Sequence, residues 1–130
     1  MRGVVFDTSI WIEYLRGNPD VFLTCQELLE DNRVFGLELI FAELLQGAKG
    51  KREVETIIQL ANLIPSLDEP YLIIESGLLS QKENLVNQGV GLIETVIFHA
   101  VAKNELKLWT LDKKLREVIG YDRLFKPELS

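Results

Sequence analysis

Gly3-Val4-Val5-Phe6-Asp7-Thr8-Ser9 is the stretch that decides the fold. Gly3 to Phe6 carries no charge and reads as a short buried strand, ending on an acid. Thr8 or Ser9 then caps a helix that runs through Arg16, and Gly17-Asn18-Pro19 closes it. A strand that hands over to a helix within two residues is one half of a strand–helix–strand unit, so the question is whether the alternation continues.

It does. Pro19-Asp20 opens a second helix with Val21, Phe22, Cys25, Leu28 and Leu29 at helical spacing. Residues 33–36 form a second strand. From Leu37 to Gln46, positions 37, 40, 41, 44 and 45 trace one apolar stripe, stopped at Gly47. A helix over 51–62 leads to a third short strand at Leu63-Ile64, before Pro65. A long helix starts near Pro70 and runs to about Asn87, and another spans 92–104. Residues 107–111 are a fourth strand, 113–119 a short helix and 121–125 a fifth strand. Strands alternating with helices predict a parallel sheet with helices on both faces. No repeat, low-complexity tract or linker interrupts the 130 residues, which suit one domain over 1–130 with a core of its own.

Composition narrows the chemistry. One cysteine, Cys25, cannot form an internal disulfide, and with one histidine, His99, it excludes a zinc site of the usual nitrogen and sulfur type. The start of the chain has no long apolar segment of the signal-peptide kind, and no apolar run approaches the roughly 20 residues that span a bilayer. The expected location is the cytoplasm. Twenty acids against 14 basic residues give a net charge of −6, which argues against broad electrostatic capture of nucleic acid. Any such grip depends on local patches such as Lys49, Lys51 and Arg52. A basic protein partner is an equally natural complement.

Four acids stand out by position. Asp7 follows the first strand and Asp112 follows the fourth in the same way. In open parallel sheets, ligands sit beyond the carboxyl ends of the strands, where strand order reverses. If those two strands are neighbours, the two carboxylates face each other; alternatively each caps the next helix. Glu43 shares one side of its helix with Ile40 and Gly47, where the glycine leaves room, although a solvated flank explains it as well. Glu94 has Ile97, Phe98 and Val101 at i+3, i+4 and i+7, with Thr95, His99 and Lys103 opposite. A carboxylate on an apolar face calls for a metal ion or an ion pair with a distant arginine. Grouped carboxylates repel unless a cation neutralises them, and magnesium or manganese takes hard oxygen ligands of this kind. Such ions activate water against a phosphodiester without a histidine or cysteine nucleophile.

These residues also carry a resemblance. Val5-Phe6-Asp7-Thr8-Ser9-Ile10-Trp11-Ile12-Glu13-Tyr14-Leu15-Arg16-Gly17 resembles the opening of VapC-type PIN-domain toxins. Glu43-Leu44-Leu45-Gln46-Gly47 resembles that family's second acidic motif, and Leu108-Trp109-Thr110-Leu111-Asp112 its last. The resemblance spans essentially the whole chain. It implies a three-layer α/β/α sandwich with a five-stranded parallel sheet of order 3-2-1-4-5. It also implies a magnesium- or manganese-dependent endoribonuclease acting on RNA, a homodimer, and a cognate antitoxin whose C-terminal segment lies in a groove near the active site. Carried over, Asp7, Glu43 and Asp112 match family acids, and Ser9 and Thr110 match its polar pocket positions. Asp7, Glu94 and Asp112 would hold the metal, with Glu43 completing the cluster.

Two departures from the family pattern bear on activity. The third acid is usually Asp, and Glu94 stands there instead. The added methylene shifts the carboxylate oxygens by about 1.5 Å, which is large for metal geometry. Lys114 and Leu115 occupy positions where the family often has a further acid and an aromatic residue. A degenerate PIN domain that binds RNA or protein without cleaving is the competing reading, favoured by Glu94. Aspartyl-phosphate chemistry fits less well, because phosphatases of the haloacid-dehalogenase type need an acid at the position of Ser9.

Overall fold

In the computed structural model, which describes residues 3–127, the sheet has three parallel strands in the order β2-β1-β3. They are β1 (Val4–Phe6), β2 (Val34–Phe35) and β3 (Lys107–Trp109). Val4 pairs with Val34 on one side and Lys107 on the other, and Phe6 pairs with Trp109. All three residues of β1 are fully buried although successive side chains point to opposite faces. The central strand is therefore covered from both sides, as its unbroken apolar sequence requires.

Seven helices connect and cover the strands: α1 (Thr8–Leu15), α2 (Pro19–Glu30), α3 (Glu38–Gln46), α4 (Lys51–Leu63), α5 (Leu72–Glu83), α6 (Leu92–Lys103) and α7 (Lys113–Val118). Asn18 caps α2 through its side chain, with Pro19 in the first turn where the missing N–H does no harm. The core gathers Phe6, Ile10, Trp11, Ile40 and Leu108 with their neighbours. Trp11 and Trp109 both pack edge-on to Phe6, which makes them core residues.

The expected five strands are corrected to three. The outer two shrink to single bridges, Gly36 to Ser66 and Leu108 to Leu124. Leu63 still belongs to α4, and the chain turns extended only from Ile64, so the bridge falls beyond Pro65. Near the C-terminus, Tyr121–Arg123 takes a 3-10 turn, leaving only Leu124 to pair. The helix expected to reach Asn87 stops at Glu83. Asn84 adopts a left-handed conformation that ends it, and a separate 3-10 turn follows at Val86–Gln88.

Helix α5 is inverted relative to an ordinary surface helix. Toward the interior it places Leu72, Ser76 and Ser80, with the Ser76 hydroxyl donating to the Leu72 carbonyl at 2.8 Å. Outward it shows Ile74 and Leu78, four residues apart and 68% and 62% exposed, and just before the helix its left-handed N-cap residue Tyr71 is 72% exposed.

Candidate active site

Strands β1 and β3 are hydrogen-bonded neighbours, so Asp7 and Asp112 emerge side by side at their carboxyl ends. Asp7 is 6% exposed. Its Oδ1 accepts the Ile10 backbone N–H at 3.2 Å and the Ser9 hydroxyl, and its Oδ2 accepts the Thr110 hydroxyl. Ser9 also accepts the Leu111 N–H at 3.0 Å, and Thr110 accepts the Asp112 N–H at 2.9 Å. Two hydroxyls therefore stitch the β1–α1 corner to the β3–α7 corner. Asp112 Oδ1 in turn accepts the Leu115 N–H at 3.2 Å. Both aspartates are N-caps, as the plain interpretation held, and both remain at the site.

Glu94 occupies the first turn of α6, where its Oε1 accepts the Gly91 N–H at 2.9 Å. The expected face of this helix needs correction. Thr95 is buried, not opposite to the apolar side, and donates to the Gly91 carbonyl at 2.9 Å. His99 faces Glu75 of α5 at 3.0 Å, while Lys103 bonds both Glu69 and Glu75. The Glu94 carboxyl lies within hydrogen-bonding reach of Asp112 and feels the charge of Lys114 from α7. Glu43, from α3, accepts the Thr8 hydroxyl at 2.8 Å. Gly47 lines a hollow together with Glu43, and a Cβ there would stand in open space, meeting nothing nearer than 3.9 Å.

Asp7, Glu43, Glu94 and Asp112 line one open cleft of about 690 Å³ together with Ser9; Thr110 supports it from behind. Three helix N-termini, of α1, α6 and α7, border it. Their free N–H groups and dipoles favour negative charge. Burial nevertheless pushes the Asp7 carboxyl up from its ordinary value, against the hydrogen bonds from Ser9, Thr110 and Ile10 that hold it down. Burial raises Glu94 as well; the Gly91 N–H works against the rise, and the neighbouring Asp112 carboxyl adds to it. Carboxylates whose charge is this poorly tolerated are a chemical match for a hard divalent cation. The geometry qualifies the expectation of a preset Asp7–Glu94–Asp112 triad. Among the described residues, no three His, Cys, Asp or Glu side chains stand close enough to form a ready cluster. Both oxygens of Asp7 are already engaged by hydroxyls, so the acids share a cleft without yet surrounding one point.

Fold and site define a class: a parallel α/β protein with an acidic cleft over the carboxyl ends of its central strands. No protein-family model matches the chain. Ribonuclease VapC32 of Mycobacterium tuberculosis, from strains CDC 1551 / Oshkosh and ATCC 25618 / H37Rv, is 32% identical over 116 residues, 87% of this chain and 87% of its own. A chain of a toxin–antitoxin complex from Klebsiella pneumoniae superposes with a TM-score of 0.72 at 20% identity, covering 96% of this chain and 98% of that one. The second likeness speaks for the fold alone. By the first, the chain belongs to the VapC ribonuclease family.

Proposed function

We propose that this protein is an endoribonuclease that hydrolyses RNA phosphodiester bonds with magnesium or manganese. The observation that carries the proposal is the meeting of four carboxylates, from four separate segments of a VapC-family chain, in one cleft. Asp7, Glu94 and Asp112 would hold the ion, which would polarise the phosphate and neutralise the charge that develops there. Thr8 holds one oxygen of Glu43, whose other oxygen positions the attacking water and takes its proton. Ser9 and Thr110 donate to Asp7 and keep it oriented and ionised. His99 takes no part, since it faces Glu75 on α5.

The same reading makes the protein the toxin of a toxin–antitoxin pair, acting in the cytoplasm and held inactive by a cognate antitoxin. Among the described residues no helix is long and apolar enough to cross a membrane. A homodimer is supported by the exposed Tyr71, Ile74 and Leu78, an apolar surface of the kind that a second protein surface covers.

One observation favours a second reading. The acids are not gathered round a single point, and Glu94 stands where the family usually has Asp, as a silent RNA-binding module would allow. A fluorogenic RNA with magnesium or manganese separates the two. Cleavage that disappears in EDTA and in Asp7→Asn supports the nuclease. RNA binding without cleavage, at any concentration of either metal, establishes the silent module.

A further inference from the structure

The acidic cleft does not end at Glu43. A second cavity of about 220 Å³ shares Ile12 and Glu43 with it and adds Arg16 and Lys49. A third hollow of about 310 Å³ shares Lys49 with the second and adds Arg52. The three hollows adjoin in succession through these shared residues, and we take them as one groove along α1 toward the start of α4. Helix α1 is its floor: Ser9, Ile12 and Arg16 lie at i, i+3 and i+7, on one stripe. Its eight residues span about 12 Å from the acids to the cation at its C-cap.

The cations at the far end are not explained by the fold. Lys49 and Arg52 make no side-chain ion pair among the described residues. Both flank the N-terminus of α4, where positive charge opposes the helix dipole. Glu53, which lines both hollows with them, accepts the Lys49 backbone N–H at 3.1 Å through Oε1 and forms no side-chain ion pair with either among the described residues. Arg16 makes only an exposed pair with Glu13 at 3.1 Å, which solvent screens. In a chain of net charge −6, these cations stand at one end of a groove whose other end is the acidic cleft.

We propose that Arg16, Lys49 and Arg52 form a phosphate-binding track for single-stranded RNA, which sets the direction in which the substrate leaves the cleft. Ile12, partly exposed between the two ends, supplies apolar contact to a base or ribose. The inference rests on the ribonuclease reading for its substrate class but not on turnover. A groove that is cationic at one end only also gives an acidic protein a way to hold RNA without attracting it everywhere.

The test is binding of a fluorescein-labelled oligoribonucleotide by anisotropy, in EDTA so that no cleavage occurs, over a range of salt. Three phosphate contacts on a single strand correspond to a slope of log K against log salt of about 2. Arg16→Gln/Lys49→Gln/Arg52→Gln should therefore flatten the wild-type slope by about 2 and weaken binding on the order of 10-fold or more at low salt. Lys82→Gln, an exposed charge in the last turn of α5 that lines none of the three hollows, should leave both unchanged. The track is overturned if the folded triple variant keeps the wild-type slope, which is the result expected were the groove built for a protein segment. It is overturned equally if Lys82→Gln flattens the slope as much as Lys49→Gln, because binding is then diffuse. Absence of cleavage by the wild type with metal would sink the nuclease reading and leave this measurement intact.

Discussion

Thr110→Val removes one hydroxyl and almost no volume from a side chain that is 1% exposed. The hydroxyl does two jobs: it donates to Asp7 Oδ2 and accepts the Asp112 N–H at 2.9 Å. A hydrogen bond to a buried charge contributes about 1.5–3 kcal/mol, and a neutral one about 0.5–1.5 kcal/mol. Losing both should destabilise the fold by about 2–4 kcal/mol at neutral pH. With a urea slope of about 2 kcal/mol per molar, the midpoint falls by about 1–2 M. The pH dependence identifies the cause. Asp7 already has a folded pKa above its unfolded value, so the native state binds the extra proton and stability falls as pH rises through that interval. The Thr110 bond holds the folded pKa down, and without it the interval widens upward and the fall steepens. The deficit of the variant should therefore be largest at neutral pH and shrink as pH falls below the ordinary carboxylate range, where Asp7 is protonated in both states and only neutral hydrogen bonds are lost. Urea titrations in EDTA across that range provide the measurement. A deficit of the same size at both ends would show that the hydroxyl does not stabilise the Asp7 charge. Additivity in the double-mutant cycle with Asp7→Asn would refute it independently.

Glu94→Gln keeps an acceptor for the Gly91 N–H and removes the charge beside Asp112. Stability in EDTA should hold or rise, while manganese affinity by calorimetry falls on the order of 10–100-fold. Divalent-ion affinity should weaken as pH falls through the folded pKa values of Asp7 and Glu94, each raised from its ordinary value, because both must lose a proton to bind. Calorimetry in matched buffers would check this through the protons released. Gly36→Ala should destabilise by about 1–3 kcal/mol, since its Cβ would sit 2.7 Å from Phe41 and 3.2 Å from Ile64. Thermal melts would measure that loss.

What the sequence made legible is what rests on local pattern. Gly3 to Phe6 could only be a buried strand, and the acids after β1 and β3 had to fall at one edge once those strands paired. The outer strands were not legible because apolar residues serve both structures: Leu63 and Ile64 look alike, yet one ends a helix and the other begins an extended segment. Glu94 was legible in the first turn of a helix over 92–104, but its i+3, i+4 and i+7 neighbours showed only an apolar face, and not that its carboxylate turns back to the Gly91 backbone N–H. The hydroxyl stitching by Ser9 and Thr110 spans more than 100 residues of sequence, and only the strand pairing reveals it. Helix α5 was legible as a helix but not as an inverted one, because small serines toward a neighbouring helix leave no periodic mark.

Capping and ligation, which compete as explanations of each acid taken alone, become complementary once the carboxylate oxygens are counted. Asp7, Glu94 and Asp112 each hold the first turn of a different helix with one oxygen. Each such cap stabilises by about 0.5–2 kcal/mol, and the helix dipole adds about 0.3–1 kcal/mol. Against that, two unit charges about 4 Å apart repel by about 4 kcal/mol at an effective dielectric near 20. For Glu94, burial and the neighbouring Asp112 carboxyl work against the charge while the Gly91 N–H favours it, and the carboxyl ends raised above its ordinary value. A site balanced in this way keeps its acids in place when empty of charge partners and gains most from a cation. Caps alone would need no such crowding: the helices of a merely structural protein could be capped by three serines. The crowding is what a capping role leaves unexplained, and it is the feature that removal of a single carboxyl at Glu94 should relieve.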